Sequence, residues 1–386
     1  MPGFEFFGSE ERQAVVDLFD ANNGILFAHG YANQRKGIFR VRELEQMIAE
    51  MFGVGHVQAV SSGSAALWCA MRALGIGPGD EVITQAFTFV ASVEAILMTG
   101  AKPVVVDIDR SLNMSPAAVE KAITARTKLI MPVHMAGVAA KMDEIFAIAQ
   151  ARNIPVLEDS AQAIGGSYRG KPLGTLADAG VFSLDFNKIV TCGEGGLVLT
   201  NDERVYSATR ALHDHGHEYD SSVPRGLDPH HTWGFNFRMT ELQAAIAMAQ
   251  FRKLDSFVAT QKEHQGRLKQ AMIEARLPVE FRELADPDGD NGDTLFFFTE
   301  SASKASEVVA ALNRVNVGTK NVPDALGWHF AANWDHLLGP FYDRPLPEVF
   351  EQSAELLSRT VSVPIWLKPD ETWFDRAASA VISCFK

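Results

Sequence analysis

Five short apolar runs set the terms for this chain, at residues 57–60, 81–84, 102–107, 128–131 and 154–158. In most of them adjacent apolar residues form a continuous centre, with the polar residues mainly at the ends, and helical stretches fall between several of them. A strand buried on both faces needs no polar side, so this pattern predicts a largely parallel sheet covered by helices on both faces. Residues 180–183 and 196–200 add two further strands, on either side of a turn that carries Lys188 and the glycines 193, 195 and 196.

The flanks read differently. Residues 9–21 and 40–52 have amphipathic helix spacing. A longer helical pattern runs from Met239 to about Glu274, with Leu242, Ala245, Ile246, Ala249, Leu254 and Phe257 on one stripe. The charged, turn-rich stretch 286–293 is expected to be a surface loop. Strands at 294–298 and 361–364, with helices near 304–314, 347–358 and 370–385, then predict a smaller α+β domain. At 386 residues the chain is long enough for two domains. The division expected is a large domain over 1–250 and a small one over 251–386, with the N-terminal segment free to pack on the latter. No repeat or low-complexity linker separates them, so the two should share an interface.

A net charge of -13 leaves no positive field to gather phosphates, which argues against general nucleic-acid binding. No apolar run reaches membrane-spanning length, and the N-terminus lacks a basic segment followed by an apolar one. Cys69, Cys192 and Cys384 are far apart and form no CxxC pair, so neither a disulfide framework nor a zinc cluster is expected. A cytoplasmic enzyme fits these facts.

The chemistry sits at the strand ends, the edge at which open parallel sheets bind ligands. Ser62-Gly-Ser64-Ala65 opens a helix whose free N–H groups can cradle a phosphate, although a plain helix cap reads the same way. Phe89 can stack on a flat heteroaromatic ring or simply fill the core. Asp159 ends an apolar strand, either capping the next segment or holding a pyridine nitrogen protonated. Gln162 and Ser183 would then reach a phenolic oxygen and a phosphate. Lys188 follows Asp159 by 29 residues beside the glycine-rich turn. This is the layout of an enzyme in which a lysine amine holds pyridoxal 5'-phosphate (PLP) as a Schiff base.

Taken in order, the phosphate loop, the ring-stacking aromatic, Glu158-Asp-Ser-Ala-Gln162, Ser183, Lys188 and Gly193-Glu-Gly-Gly196 resemble the sugar aminotransferases of the aspartate aminotransferase superfamily (fold type I). The similarity runs continuously from about Phe39 to Phe257 and takes in Pro132-Val-His134, Gly137 and Gly234-Phe-Asn236-Phe-Arg-Met-Thr. It implies Lys188 as the Schiff-base lysine, Asp159 as the pyridinium partner and Gln162 as the contact to the ring oxygen. Phe89 would cover the ring, and Ser64, Ala65 and Ser183 would hold the phosphate. Asn236 would reach the cofactor phosphate of a second subunit, which implies a homodimer with shared sites. An offshoot of the family dehydrates sugars with histidine in place of the lysine; Lys188 argues against it. A catalytically silent scaffold would show a damaged constellation, and none is visible. The implied reaction moves an amino group from L-glutamate to a keto or aldehyde sugar, as in cell-surface polysaccharide or lipopolysaccharide synthesis.

The sugar is less legible. Arg35, Lys36, Arg40 and Arg42 crowd one segment and would suit either a nucleoside diphosphate or a carboxylate, such as that of an oxidised octulosonic acid. A solvated helix start reads the same way. His329 belongs to an aromatic and histidine cluster, Trp328 to His336, near the family's substrate-facing loop. His213, His215 and His217 form another patch, whose spacing lacks the carboxylates a metal centre would need.

Overall fold

The computed structural model describes residues 3–220 and 222–386. The strands are β1 (His56–Val60), β2 (Glu81–Gln85), β3 (Lys102–Val106), β4 (Thr127–Ile130), β5 (Leu157–Asp159), β6 (Ser167–Tyr168), β7 (Lys171–Pro172), β8 (Ala179–Ser183), β9 (Gly196–Thr200), β10 (Glu280–Phe281), β11 (Thr294–Phe298) and β12 (Thr360–Pro364). β3–β2–β4 pair in parallel, and β5 pairs in parallel with β8. Parallel bridges Ile130↔Val156 and Val133↔Asp159 join the two groups. The large sheet therefore runs β3–β2–β4–β5–β8–β9–β1, with β9 alone antiparallel to its neighbours. The fold is the mainly parallel, three-layer α/β arrangement of fold type I.

Alternation along the strands explains the layers. Phe182, Leu197 and Leu199 face the helices Arg40–Phe52 and Glu241–Phe251, whereas Val181 and Val198 face the helix Gly63–Ala73. With both faces covered, no position on these strands can be polar without a partner, hence the continuous apolar runs. The helix Gly63–Ala73 is buried from Ala65 to Met71. Its start presses on the sheet so closely that a Cβ at Gly63 would lie 2.8 Å from Ser183 Cβ.

β10, β11 and β12 form a separate antiparallel sheet. Leu295 and Phe297 pack with Leu268, Leu312 and Phe374 in a C-terminal core, while Phe296 and Phe298 on the opposite face join Phe87, Trp334 and Phe350. One strand thus serves two cores. The N-terminal segment leans on the same part of the chain, with Glu5 Oε2 accepting from Leu367 N at 2.9 Å.

Three expectations need correction. The segment 286–293 is not simply a surface loop: Asp290, Asn291 and Asp293 are buried. Polar partners make this tolerable, since Asn291 Nδ2 donates to Ile164 O at 3.1 Å and Asp290 accepts from Gln265 Nε2 at 2.9 Å. The single helical pattern over 239–274 is two helices, Glu241–Phe251 and Leu254–Glu274, broken where Lys253 turns its ammonium to Glu10 and Glu11. The pattern over 347–358 likewise splits, at Phe350. Among the described residues no helix is long and apolar enough to cross a membrane.

Candidate active site

Parallel strands β1, β2, β4, β5 and β8 end at one edge of the sheet, and a cavity of about 590 Å³ opens there. Ser62, Gly63, Ser64, Phe89, Asp159, Gln162, Ser183, Lys188 and His329 line it. Ser62, Asp159, Ser183 and Lys188, up to 126 positions apart in sequence, converge because the strands that carry or precede them share one direction.

Asp159 is buried. Its Oδ2 accepts from Ser92 Oγ at 2.7 Å and its Oδ1 from Ala161 N at 3.2 Å. Burial raises its pKa above the usual carboxylate range, while the Ser92 and Ala161 donors and the positive charge of Lys188 act to lower it. Glu158, one position earlier, points to the other face and is purely structural. It accepts from Gly174 N, Leu176 N and Ala177 N, and His134 Nε2 lies 2.9 Å from its Oε2. His134 Nδ1 accepts from Ala140 N, so Nε2 carries the proton and donates to Glu158.

Lys188 lies in the β8–β9 turn and reaches the cavity with no hydrogen bond or ion pair to its ammonium among the described residues. Burial lowers its pKa; Lys320 pushes the same way, and Asp185, Asp159 and Asp293 oppose. An amine so placed keeps its lone pair more readily than a solvated lysine. Gln162 Oε1 accepts from Ala136 N at 3.3 Å, which leaves its Nε2 as a donor for the cavity. The Phe89 ring is 41% exposed, against the expectation for a core residue, and stacks on Trp328 with centroids 6.5 Å apart. Ser62 Oγ caps its helix by accepting from Ala65 N at 3.1 Å. Ala65 itself is buried behind Ser64 and does not line the cavity.

His329 stands beside Phe89, with ring centroids 5.4 Å apart. Its Nδ1–H donates to Ala325 O at 2.9 Å, and burial pulls its pKa down to about 4. The ring is therefore neutral near pH 7 and offers Nε2 as an acceptor.

The basic run behaves otherwise. Arg35 is fully buried: Nε donates to Ile38 O and Nη1 to Phe27 O, both at 2.8 Å, and Nη2 lies 2.8 Å from Glu241 Oε2. A fully buried guanidinium paired with Glu241 and outside the cavity is closed to a substrate of its own chain, against the expectation that Arg35 contacts the sugar. Arg40 pairs with Glu43, and Lys36 is solvent-exposed; neither lines the cavity of its own chain. Asn236 is exposed and also outside that cavity, held by a bridge to Asp214. The histidine patch disperses, with His213 Nδ1 at 2.6 Å from Arg210 O and His217 beside Asp228. No group of three or more metal-ligating side chains occurs among the described residues.

Sequence reasoning missed Ser92, Asp293 and Lys320, all of which line the cavity. Ser92 gives no signal, being one serine in an apolar helix. Asp293 was hidden in an acidic run, and Lys320 stands far from every motif.

An unpaired buried amine, a buried carboxylate across from it, a helix start and an exposed aromatic ring fit a phosphorylated heteroaromatic aldehyde. Fold and site together define a PLP-dependent aminotransferase. A family model described as the DegT/DnrJ/EryC1/StrS aminotransferase family matches residues 34–381, and the chain belongs to that family. It is 42% identical over 236 residues to GDP-perosamine synthase of Caulobacter vibrioides, a match covering 60% of this chain and 61% of that relative. The chain thus aligns with about three fifths of the length of this curated relative. Among solved structures, the aminotransferase from Psychrobacter cryohalolentis superposes with a TM-score of 0.84 at 26% identity, covering 98% of this chain and 97% of the other. 3-Amino-5-hydroxybenzoic acid synthase gives 0.83 at 27%, covering 98% and 96%.

Proposed function

We propose that this enzyme moves an amino group from L-glutamate to a keto or aldehyde sugar carried on a nucleoside diphosphate. The observation that carries the reading is the convergence of Lys188 and Asp159 in one cavity of a chain that belongs to an aminotransferase family. The name of the Caulobacter relative, a GDP-sugar synthase, supports the nucleotide-linked acceptor. A free acidic keto sugar of the octulosonate type is the second reading, favoured by the cation that Lys320 brings to the cavity.

In this reading Lys188 holds the cofactor, and PLP supplies the carbonyl that takes the amine and the ring that accepts electrons. Asp159 keeps the proton on the pyridine nitrogen, with Ser92 holding its carboxylate in place. The Gln162 amide donates to the ring oxygen, and Phe89 covers one face of the ring. Ser64, Ser183 and the helix start at Gly63 receive the phosphate, where the dipole favours an anion. The Lys188 amine, its pKa lowered by burial, would be the group able to take up and return a proton at the reacting centre. His329 Nε2 accepts from a substrate hydroxyl.

Asn236 is exposed and outside its own cavity, as it would be if it completed the cavity of a second copy. Exposed Trp233, Phe235 and Leu227 nearby would be covered in such a homodimer. We place the enzyme in the cytoplasm, supplying cell-surface polysaccharide or lipopolysaccharide synthesis.

The test is the visible spectrum of the cofactor-loaded protein before and after L-glutamate. Loss of the long-wavelength band of lysine-bound cofactor supports transamination. A band indifferent to glutamate refutes the donor, and a band that survives in Lys188→Ala after removal of free cofactor refutes the anchor.

A further inference from the structure

The cavity is acidic for a site that must admit an amino acid. Asp159, Asp185, Glu194 and Asp293 line it, against two cations among the described residues, Lys188 and Lys320. His329 adds no charge near neutrality. Every amino-acid donor brings an α-carboxylate, and placing that charge among carboxylates is unfavourable without a fixed cation. Lys188 belongs to the cofactor and the proton. That leaves Lys320.

Its placement suits the task. The backbone of Lys320 is pinned to β12, its N–H donating to Ser362 O at 3.3 Å and Ser362 Oγ at 3.1 Å. The ammonium pairs with Asp293 Oδ2. Asp293 is itself fixed, its N–H donating to Asn291 Oδ1 at 3.0 Å and its carboxylate accepting from Thr294 Oγ1 at 2.9 Å. Lys320 holds the Asp293 carboxyl down at about 2, so this counter-ion stays charged. An ammonium has three donors, and Asp293 takes one. Two donors remain on a side chain that lines the same cavity as Lys188. Lys320 is also near enough to depress the pKa of both Lys188 and His329.

We propose that Lys320 is the anchor for the carboxylate of the amino-acid donor, with Asp293 as the positioning residue that aims its ammonium. The proposal rests on the reading of the cavity as an aminotransferase site.

The experiment uses the cofactor-loaded enzyme and two probes, L-glutamate followed by the visible band and the unreactive dicarboxylate glutarate followed by calorimetry. Lys320→Met should weaken glutarate binding and raise the half-saturating glutamate about 10- to 100-fold, the range for loss of a charged hydrogen bond. The reaction of n-propylamine, which has no carboxylate, should fall far less than the affinity for either carboxylate probe. Lys320→Arg should recover most of the binding. Because Lys320→Met removes the ammonium that Asp293 pairs with, the double variant Lys320→Met, Asp293→Asn provides a second comparison with the same expected loss. Glutarate bound as tightly by the double variant as by the parent overturns the proposal. A parent that binds glutarate through Lys320 yet ignores glutamate refutes the donor reading and leaves the anchor standing.

Discussion

Ser92 Oγ donates to Asp159 Oδ2 at 2.7 Å across a gap of 67 residues, and this bond favours the charged form of the carboxylate proposed to face the ring nitrogen. Burial alone would drive the Asp159 carboxyl toward its neutral form, and Ser92 is the largest influence opposing it.

Ser92→Ala should therefore lower turnover about 10- to 100-fold, the worth of a hydrogen bond to a charged group. With the donor gone the Asp159 pKa rises further, so the acid limb of the rate profile should move to higher pH. Ser92→Thr, which keeps the hydroxyl, should restore both. A pH–rate profile of the three proteins decides.

Arg35→Met should act on stability and leave the chemistry alone. It strands Glu241 as an uncompensated buried charge, which typically costs about 3–5 kcal/mol. The urea midpoint should fall while the folded fraction still responds to glutamate as the parent does. A stable variant with a raised KM for the sugar would return Arg35 to the substrate site.

His213 predicts a pH dependence. Burial holds its pKa at about 4, well below the ordinary histidine value of about 6.5, and Gln58 Nε2, 3.3 Å away, faces the Nε2 that remains unprotonated. A histidine depressed in the folded state lets the unfolded chain bind the extra proton. Stability is thus intact above about pH 6.5 and declines as pH falls toward 4, by about 3 kcal/mol. Glu45, pushed up to about 7 by burial, runs the other way, so the difference between proteins is the observable. Denaturation of His213→Gln at pH 7 and pH 4.5 should show a smaller decline than the parent.

Asn236→Ala should weaken cofactor retention without disturbing the fold, because its side chain is exposed and outside its own cavity. Dialysis followed by absorbance would show the loss. If retention in the parent also falls on dilution, the contact comes from a second copy.

The strands were legible because burial on both faces leaves a continuous apolar run, and six of the seven large-sheet strands begin and end within a residue or two of that reading. The exception is 154–158, where the strand proper runs only from Leu157 to Asp159. Asp159, Gln162, Ser183 and Lys188 were legible because a parallel sheet delivers its strand ends to one edge. Arg35 was misread since sequence shows a cation's neighbours in the chain and not Glu241, 206 positions away.

Sequence by itself determined the sheet and the order in which chemical groups arrive at its edge, because both follow from local pattern and strand direction. Tertiary structure alone decided which charges face the cavity. Arg35 turned inward to Glu241, while Lys320 and Asp293, from a different part of the chain, came together as an ion pair lining the cavity that Lys188 enters. The physical reason is that a charge takes its role from its partners and its burial, and both are settled by contacts between residues far apart in sequence.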